Sequence, residues 1–355
     1  MVEKKMIALS SPYITRDGVE IKKPVAAYEE YGNPAGPVIV LCHGGLSNQH
    51  AADVTLADPA PGWWDQLVGP DNVFDTNKFR ILSVNALGSM FGTTGPTCIN
   101  PDTEKLYGKD FPYVTMEDHA CFLKQVLGDL GVERVYWAAG LSMGSLTVLN
   151  LAVLFPEFVG ALTLVATAAY MTVGGMAYHN AIINSIKLSP NWNNGDYTGD
   201  EVLHAVNAMA QINKVYFTHY SLFEKITEGI HGQLERETAI DKYLRAGSEA
   251  YARSHDANSM ITCLRACNSH NIAAGYHSLA EAFSRLNMPI LVISVDTDGE
   301  FPPKYGREIA DGVNAHYPDM ARHAIISSIH GHLGCVLEGE QLKTEMTSFK
   351  MKLDS

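Results

Sequence analysis

The run Val135-Tyr136-Trp137-Ala138-Ala139-Gly140-Leu141-Ser142-Met143-Gly144, followed by the apolar stretch Ser145–Phe155, decides how this chain is read. Val135–Ala138 predicts a strand, and Ser145–Phe155, stopped before Pro156, predicts a helix. Between them lies Gly-x-Ser-x-Gly. A serine on so sharp a strand-to-helix turn is strained, and its hydroxyl is raised above the sheet edge. Small residues two before and two after let the chain turn that tightly. The helix N-terminus favours negative charge developing beside it. Ser142 is the candidate nucleophile.

The rest of the chain supplies a setting for that turn. Val38–Cys42, Phe79–Val84, Ala161–Ala166, Ile290–Val295 and Ala324–Ile326 read as short buried strands. From Thr115, an acid three residues on predicts a helix start, and Phe122, Leu123, Val126, Leu127 and Leu130 continue it as an apolar stripe up to Gly131. Strands alternating with helices at this spacing imply βαβ units and a parallel sheet buried on both faces. From about 173 to 286 the strand-like runs vanish and helical patterns such as Val202, Val206 and Met209 take over. A last helix is expected over roughly Gln341–Lys352. We therefore expect one core, 1–172 with 287–355, interrupted by a helical cap, 173–286.

A serine nucleophile needs a base and the base an orienting acid, in this turn type in the order Ser, Asp or Glu, His. Asp296-Thr297-Asp298 follows the Ile290–Val295 strand, and Asp298, further into the loop, is the expected acid. Asp296 is expected to cap the turn instead. After the last strand comes His330-Gly331-His332; His332, ahead of the apolar Leu333–Leu337, is the expected base, with His330 the alternative. An oxyanion hole needs two backbone N–H groups. One is assigned to Met143, the residue after the nucleophile. The other is assigned to Gly45 in His43-Gly44-Gly45-Leu46, with Gly44 or Leu46 as alternatives. His-x-His without a third ligand nearby does not make a metal site, and no metal or redox cofactor is expected.

Composition narrows the partners. Among 355 residues, 26 Lys+Arg face 39 Asp+Glu, a net charge of −13, which disfavours nucleic acid and anionic membranes. The apolar runs are too short to span a bilayer. Met1–Leu9 has no long apolar segment, so no signal peptide and a cytoplasmic location are expected. The six cysteines, 42, 98, 121, 263, 267 and 335, form no C-x-x-C pair and are expected to be free thiols.

Several stretches together resemble the homoserine O-acetyltransferase family of α/β-hydrolases. They are Gly62-Trp63-Trp64-Asp65, Asn85-Ala86-Leu87-Gly88, Gly92-Thr93-Thr94-Gly95-Pro96, Ile99-Asn100-Pro101, Asp110-Phe111-Pro112, Leu141-Ser142-Met143-Gly144, Asp256-Ala257-Asn258-Ser259, Phe301-Pro302-Pro303 and Gly331-His332. They follow the family's order along nearly the whole chain. The resemblance implies an α/β-hydrolase fold, a mostly parallel central sheet flanked by helices with an inserted helical cap. It also implies an acetyl-enzyme on Ser142, a Ser142–Asp298–His332 triad and a homodimer formed through the caps.

The chain departs from the family at its acceptor site. The family usually has a cap-helix arginine for the homoserine carboxylate, where this chain has Met209; Tyr216 matches a family tyrosine. The family usually has an aspartate after the catalytic histidine, where this chain has Leu333. The oxyanion loop reads His-Gly-Gly-Leu rather than His-Ala-Leu-Thr, and Ser145 replaces a glycine. Without partners at Met209 and Leu333, a buried zwitterion forgoes about 3–6 kcal/mol. The expected substrate is thus a small neutral acetate-type ester, contacted by Met209, Tyr216 and Leu333 and hydrolysed by a serine esterase like the short-chain esterases homologous to these transferases. The alternative is an acetyl-CoA-dependent O-acetyltransferase on homoserine or another alcohol with the same triad. A binding-only relative is a third class, disfavoured by the complete set of catalytic residue types.

Overall fold

The computed structural model describes residues 3–53, 61–228 and 238–353. Eight strands form the central sheet: β1 (Lys5–Ala8), β2 (Val25–Gly32), β3 (Val38–Cys42), β4 (Arg80–Val84), β5 (Trp137–Leu141), β6 (Leu162–Val165), β7 (Ile290–Val295) and β8 (Ala321–Ile326). Their order is β1-β2-β4-β3-β5-β6-β7-β8. β1 pairs antiparallel with β2 and β2 antiparallel with β4; every later pairing is parallel. β5, β6 and β7 are buried along their whole length. This is what continuous Val/Ile/Leu runs covered on both faces dictate.

Two helices and the carboxyl ends of the strands make the platform for the site. α1 (Met116–Asp129) opens on a capping box in which Thr115 and Asp118 satisfy each other's backbone N–H groups. α2 (Met143–Leu154) follows β5 directly and is buried on nearly every side. β5 starts two residues later than the apolar run alone implied, because Val135 makes only an isolated bridge to Val159, and it ends three residues further into the motif, at Leu141. The antiparallel β1 and β2 carry no continuous apolar run, since β2 mixes Tyr28, Glu29, Glu30 and Tyr31 into its length.

Between β6 and β7 the described residues form helices: α3 (Val173–Lys187), α4 (Leu203–Phe217), α5 (Tyr220–Ile226), α6 (Ala239–Arg245), α7 (Ser248–Ser254), α8 (Ala257–Asn268) and α9 (Leu279–Ser284). A second apolar cluster lies here, built from Ile182, Ile183, Ile186, Val202, Val206 and Met209 among others. α8 serves both clusters: Met260, Ile261 and Leu264 join this one, while Cys263, Ala266 and Cys267 join the core of the sheet. After β7 come α10 (Pro303–Asn314), β8, the short α11 (Gly334–Leu337) and the terminal α12 (Gly339–Leu353). No helix among the described residues is long and apolar enough to cross a membrane.

Candidate active site

Ser142 sits between β5 and α2 with φ 50° and ψ −126°, a strained conformation for a residue with a Cβ. The flanking glycines are explained by what surrounds them. A Cβ on Gly140 would lie 2.3 Å from the Gly144 carbonyl oxygen, and one on Gly144 would lie 2.0 Å from the Cys42 carbonyl oxygen. Ser145 adds a support that glycine there would lack: its hydroxyl donates to the Ser142 carbonyl at 2.6 Å.

Three loops at the carboxyl ends of β5, β7 and β8 meet. His332 Nε2 lies 2.9 Å from Ser142 Oγ, and His332 Nδ1 lies 2.8 Å from Asp298 Oδ2. The other Asp298 oxygen accepts the Glu300 and Phe301 backbone N–H groups at 2.8 and 3.0 Å, which fixes the carboxylate. Asp296 turns to the β8 end, accepting from Ser328 N and Ser327 Oγ. His330 lies outside this chain of contacts, its N–H bonded to Ser328 Oγ.

The loop after β3 closes the other side. His43 is buried; its Nδ1 bonds the Gly44 carbonyl at 2.8 Å and its Nε2 accepts the Ala86 N–H at 3.2 Å. Burial pushes its pKa down to about 4, so it serves as a neutral strut. A Cβ on Gly45 would be 3.8 Å from Met143 Cβ, which puts Gly45 beside the first residue of α2. The first amides of a helix have no intrahelical acceptor. Leu46 has φ 62°.

These residues open on a cavity of about 370 Å³ between the core and the helical segment. Leu46, Trp63, Leu146, Met171, Phe217 and Leu333 give it a largely apolar wall. Two charged side chains also line it, neither read from the sequence. Lys214 of α4 donates to the Tyr243 carbonyl at 2.7 Å and to the Ala246 carbonyl, and burial pulls its pKa down. Glu300 is buried, with Oε2 3.4 Å from His332 Nε2 and Oε1 3.1 Å from His179 Nε2. Glu300 could have been noticed as a second carboxylate in the Asp298–Phe301 turn.

Of the three expected substrate contacts, Leu333 lines the cavity, and Met209 and Tyr216 do not. Met209 is fully buried with Val202 and Val206, on the apolar stripe its helical spacing defines. Tyr216 lies flat on Tyr178, ring centroids 3.7 Å apart, and it is Tyr178 that faces the cavity. The Tyr216 hydroxyl has no hydrogen-bond partner among the described residues.

Residues 37–326 match the family model of the alpha/beta hydrolase fold. The chain is 33% identical over 354 residues to a homoserine O-acetyltransferase of Methanohalophilus mahii, across 98% of this chain and 72% of that one. The chain belongs to the homoserine O-acetyltransferase family of α/β-hydrolases. Solved structures similar to this family member carry two activities in their names. The homoserine O-acetyltransferase from Bacillus anthracis superposes with a TM-score of 0.91 at 26% identity, over 98% of this chain and 97% of that one. Esterase E22 superposes with a TM-score of 0.89 at 28% identity, over 98% and 100%. The chain is thus an enzyme of the hydrolase and acyltransferase type.

Proposed function

We propose that this enzyme moves an acetyl group from a thioester to a small alcohol through an acetyl-Ser142 intermediate, with acetyl-CoA as donor and homoserine as the first acceptor to test. The observation that carries this is the Ser142–His332–Asp298 chain of contacts, at 2.9 and 2.8 Å, opening on a cavity with a charge of each sign in its wall. The sequence reading put hydrolysis first because neither Met209 nor Leu333 can pair with a zwitterion. Lys214 and Glu300 weigh against that objection, since a desolvated zwitterion needs a cation and an anion near it and both line the cavity. The transferase relatives, which align with nearly the whole chain, favour the same reading.

In this reading His332 takes the Ser142 proton as Oγ attacks the acyl carbonyl. Asp298 holds the imidazole so that Nε2 faces the serine. The Gly45 and Met143 N–H groups receive the oxyanion. The thiolate leaves with the proton from His332. The acceptor hydroxyl then loses its proton to His332, attacks the acetyl group and releases Ser142.

Ester hydrolysis is the second reading, favoured by one observation: Leu333, directly after His332, presents an apolar surface to the cavity. Water would then take the acyl group of a small neutral acetate-type ester. Incubation with acetyl-CoA and homoserine decides between the two. O-acetylhomoserine formed faster than acetate is expected. Acetate alone, together with rapid aryl acetate hydrolysis unaffected by millimolar homoserine, would overturn the transferase reading.

A further inference from the structure

His332 has a carboxylate on each side. Asp298 takes Nδ1 at 2.8 Å, as in any such triad, but Glu300 Oε2 stands 3.4 Å from Nε2, on the side where Ser142 Oγ also waits at 2.9 Å. Glu300 is anchored there. Its N–H donates to Asp298 Oδ1, its carbonyl accepts the Thr172 hydroxyl at 2.9 Å, and its Oε1 meets His179 Nε2. His179 is held in turn by Asn268 Oδ1, 2.8 Å from its Nδ1, and the Asn268 amide nitrogen donates to Asn180. A buried carboxylate held by this many groups has a defined place rather than a random one.

We propose that Glu300 is a positioning residue for His332: it competes with Ser142 Oγ for the Nε2 proton and holds the histidine in its imidazolium form, so that it sets the pH at which the enzyme becomes active. This rests on His332 being the base of the acyl-transfer reading. The proton that Nε2 accepts from Ser142 can be donated onward to the leaving group or rest against Glu300 Oε2, with no other atom changing hands. A carboxylate on each ring nitrogen favours the charged ring.

The other groups around this pair come from each neighbouring element. His179 of α3 contacts Glu300, and Tyr178 of α3, Tyr216 of α4, Cys267 of α8 and Cys335 of α11 lie close enough to feel its charge, with Asp298 in its own loop. Lys214 lines the same cavity from α4. The Phe217 and Phe301 ring centroids lie 5.0 and 5.8 Å from that of the imidazole. Burial acts to lower the His332 pKa; attraction to Asp298 and Glu300, with the Asp298 hydrogen bond, outweighs it and pushes the value up to about 9.

The test is the pH dependence of kcat/KM for a neutral aryl acetate, which reports the free enzyme. The wild type is expected to lose activity below a limb near pH 9. Glu300→Gln should move that limb down by at least one pH unit, raising activity at pH 7 about tenfold relative to its own plateau. A merely structural role would lower the plateau and leave the limb in place. The wild-type limb needs no variant, so misfolding of Glu300→Gln does not remove the test. A wild-type limb at the ordinary histidine value near 6.5, or the same limb in both proteins, overturns the proposal. Retained hydrolysis in Ser142→Ala and His332→Ala would instead remove the acyl-transfer reading, and this proposal with it.

Discussion

Asp296 accepts the Ser328 N–H at 2.9 Å, which ties the end of β7 to the end of β8 and leaves Asp298 alone to reach His332. The two aspartates are thus separable by mutation. Asp298→Asn should cost on the order of 10⁴ in kcat, because an amide no longer holds the imidazole tautomer. Asp296→Asn should lower the Tm and leave kcat within a few-fold. Steady-state kinetics beside thermal melts of both variants check this, and the reverse ranking would reassign the acid.

Ser142→Ala should keep the fold and lose nearly all turnover, leaving only the roughly 10³–10⁴ over water that binding and an oxyanion hole supply. A fluorophosphonate should label the wild type at Ser142, read by peptide mass. Label on another serine, or an alanine variant with more than a few per cent activity, would contradict the assignment.

Gly144→Ala should be strongly destabilised, since its Cβ would fall 2.0 Å from a carbonyl oxygen inside the β3–α2 contact. The backbone must shift to relieve this, at a cost of several kcal/mol. Urea unfolding monitored by tryptophan fluorescence measures the loss; an unchanged midpoint would mean that α2 and β3 are not packed as described.

Stability should peak near neutral pH. Burial pushes His43, His119 and His270 down to about 4, so each resists protonation in the folded chain. Their contribution is complete above the ordinary value near 6.5 and lost as pH falls from there towards 4, on the order of 3 kcal/mol each. His332, raised to about 9, works the other way: its contribution is complete below 6.5 and lost as pH rises through 9. Urea midpoints from pH 4 to 10 should trace a dome; a monotonic profile would refute it.

A homodimer is expected, formed through the helical segment. Ile212 and Val215 of α4 are 42% and 52% exposed, an apolar surface of the kind that marks contacts. Light scattering should give about twice 38.7 kDa, and a single-chain mass at micromolar concentration would count against it.

The sheet and its nucleophile turn were legible because continuous apolar runs and a glycine-spaced serine are local signals. Asp298 and His332 were legible through chain order, each following a late strand. The acceptor side of the cavity was not. Lys214 reads as an ordinary polar position on α4, and only packing against α6 and α7 turns it to the cavity. Glu300 lies two residues from a carboxylate already assigned, so its charge looked like part of a turn. Met209 shows the converse: alignment proposed a substrate contact, and the Val202–Val206–Met209 stripe won, because burying three apolar side chains outweighs exposing one.

α8 contributes to both apolar clusters, Met260, Ile261 and Leu264 to one and Cys263, Ala266 and Cys267 to the other. Pulling the helical segment off the sheet would therefore strip both clusters of a shared wall. Because the helical segment and the sheet share one helix, they are expected to melt together rather than as two units. Calorimetry should show one endotherm rather than two.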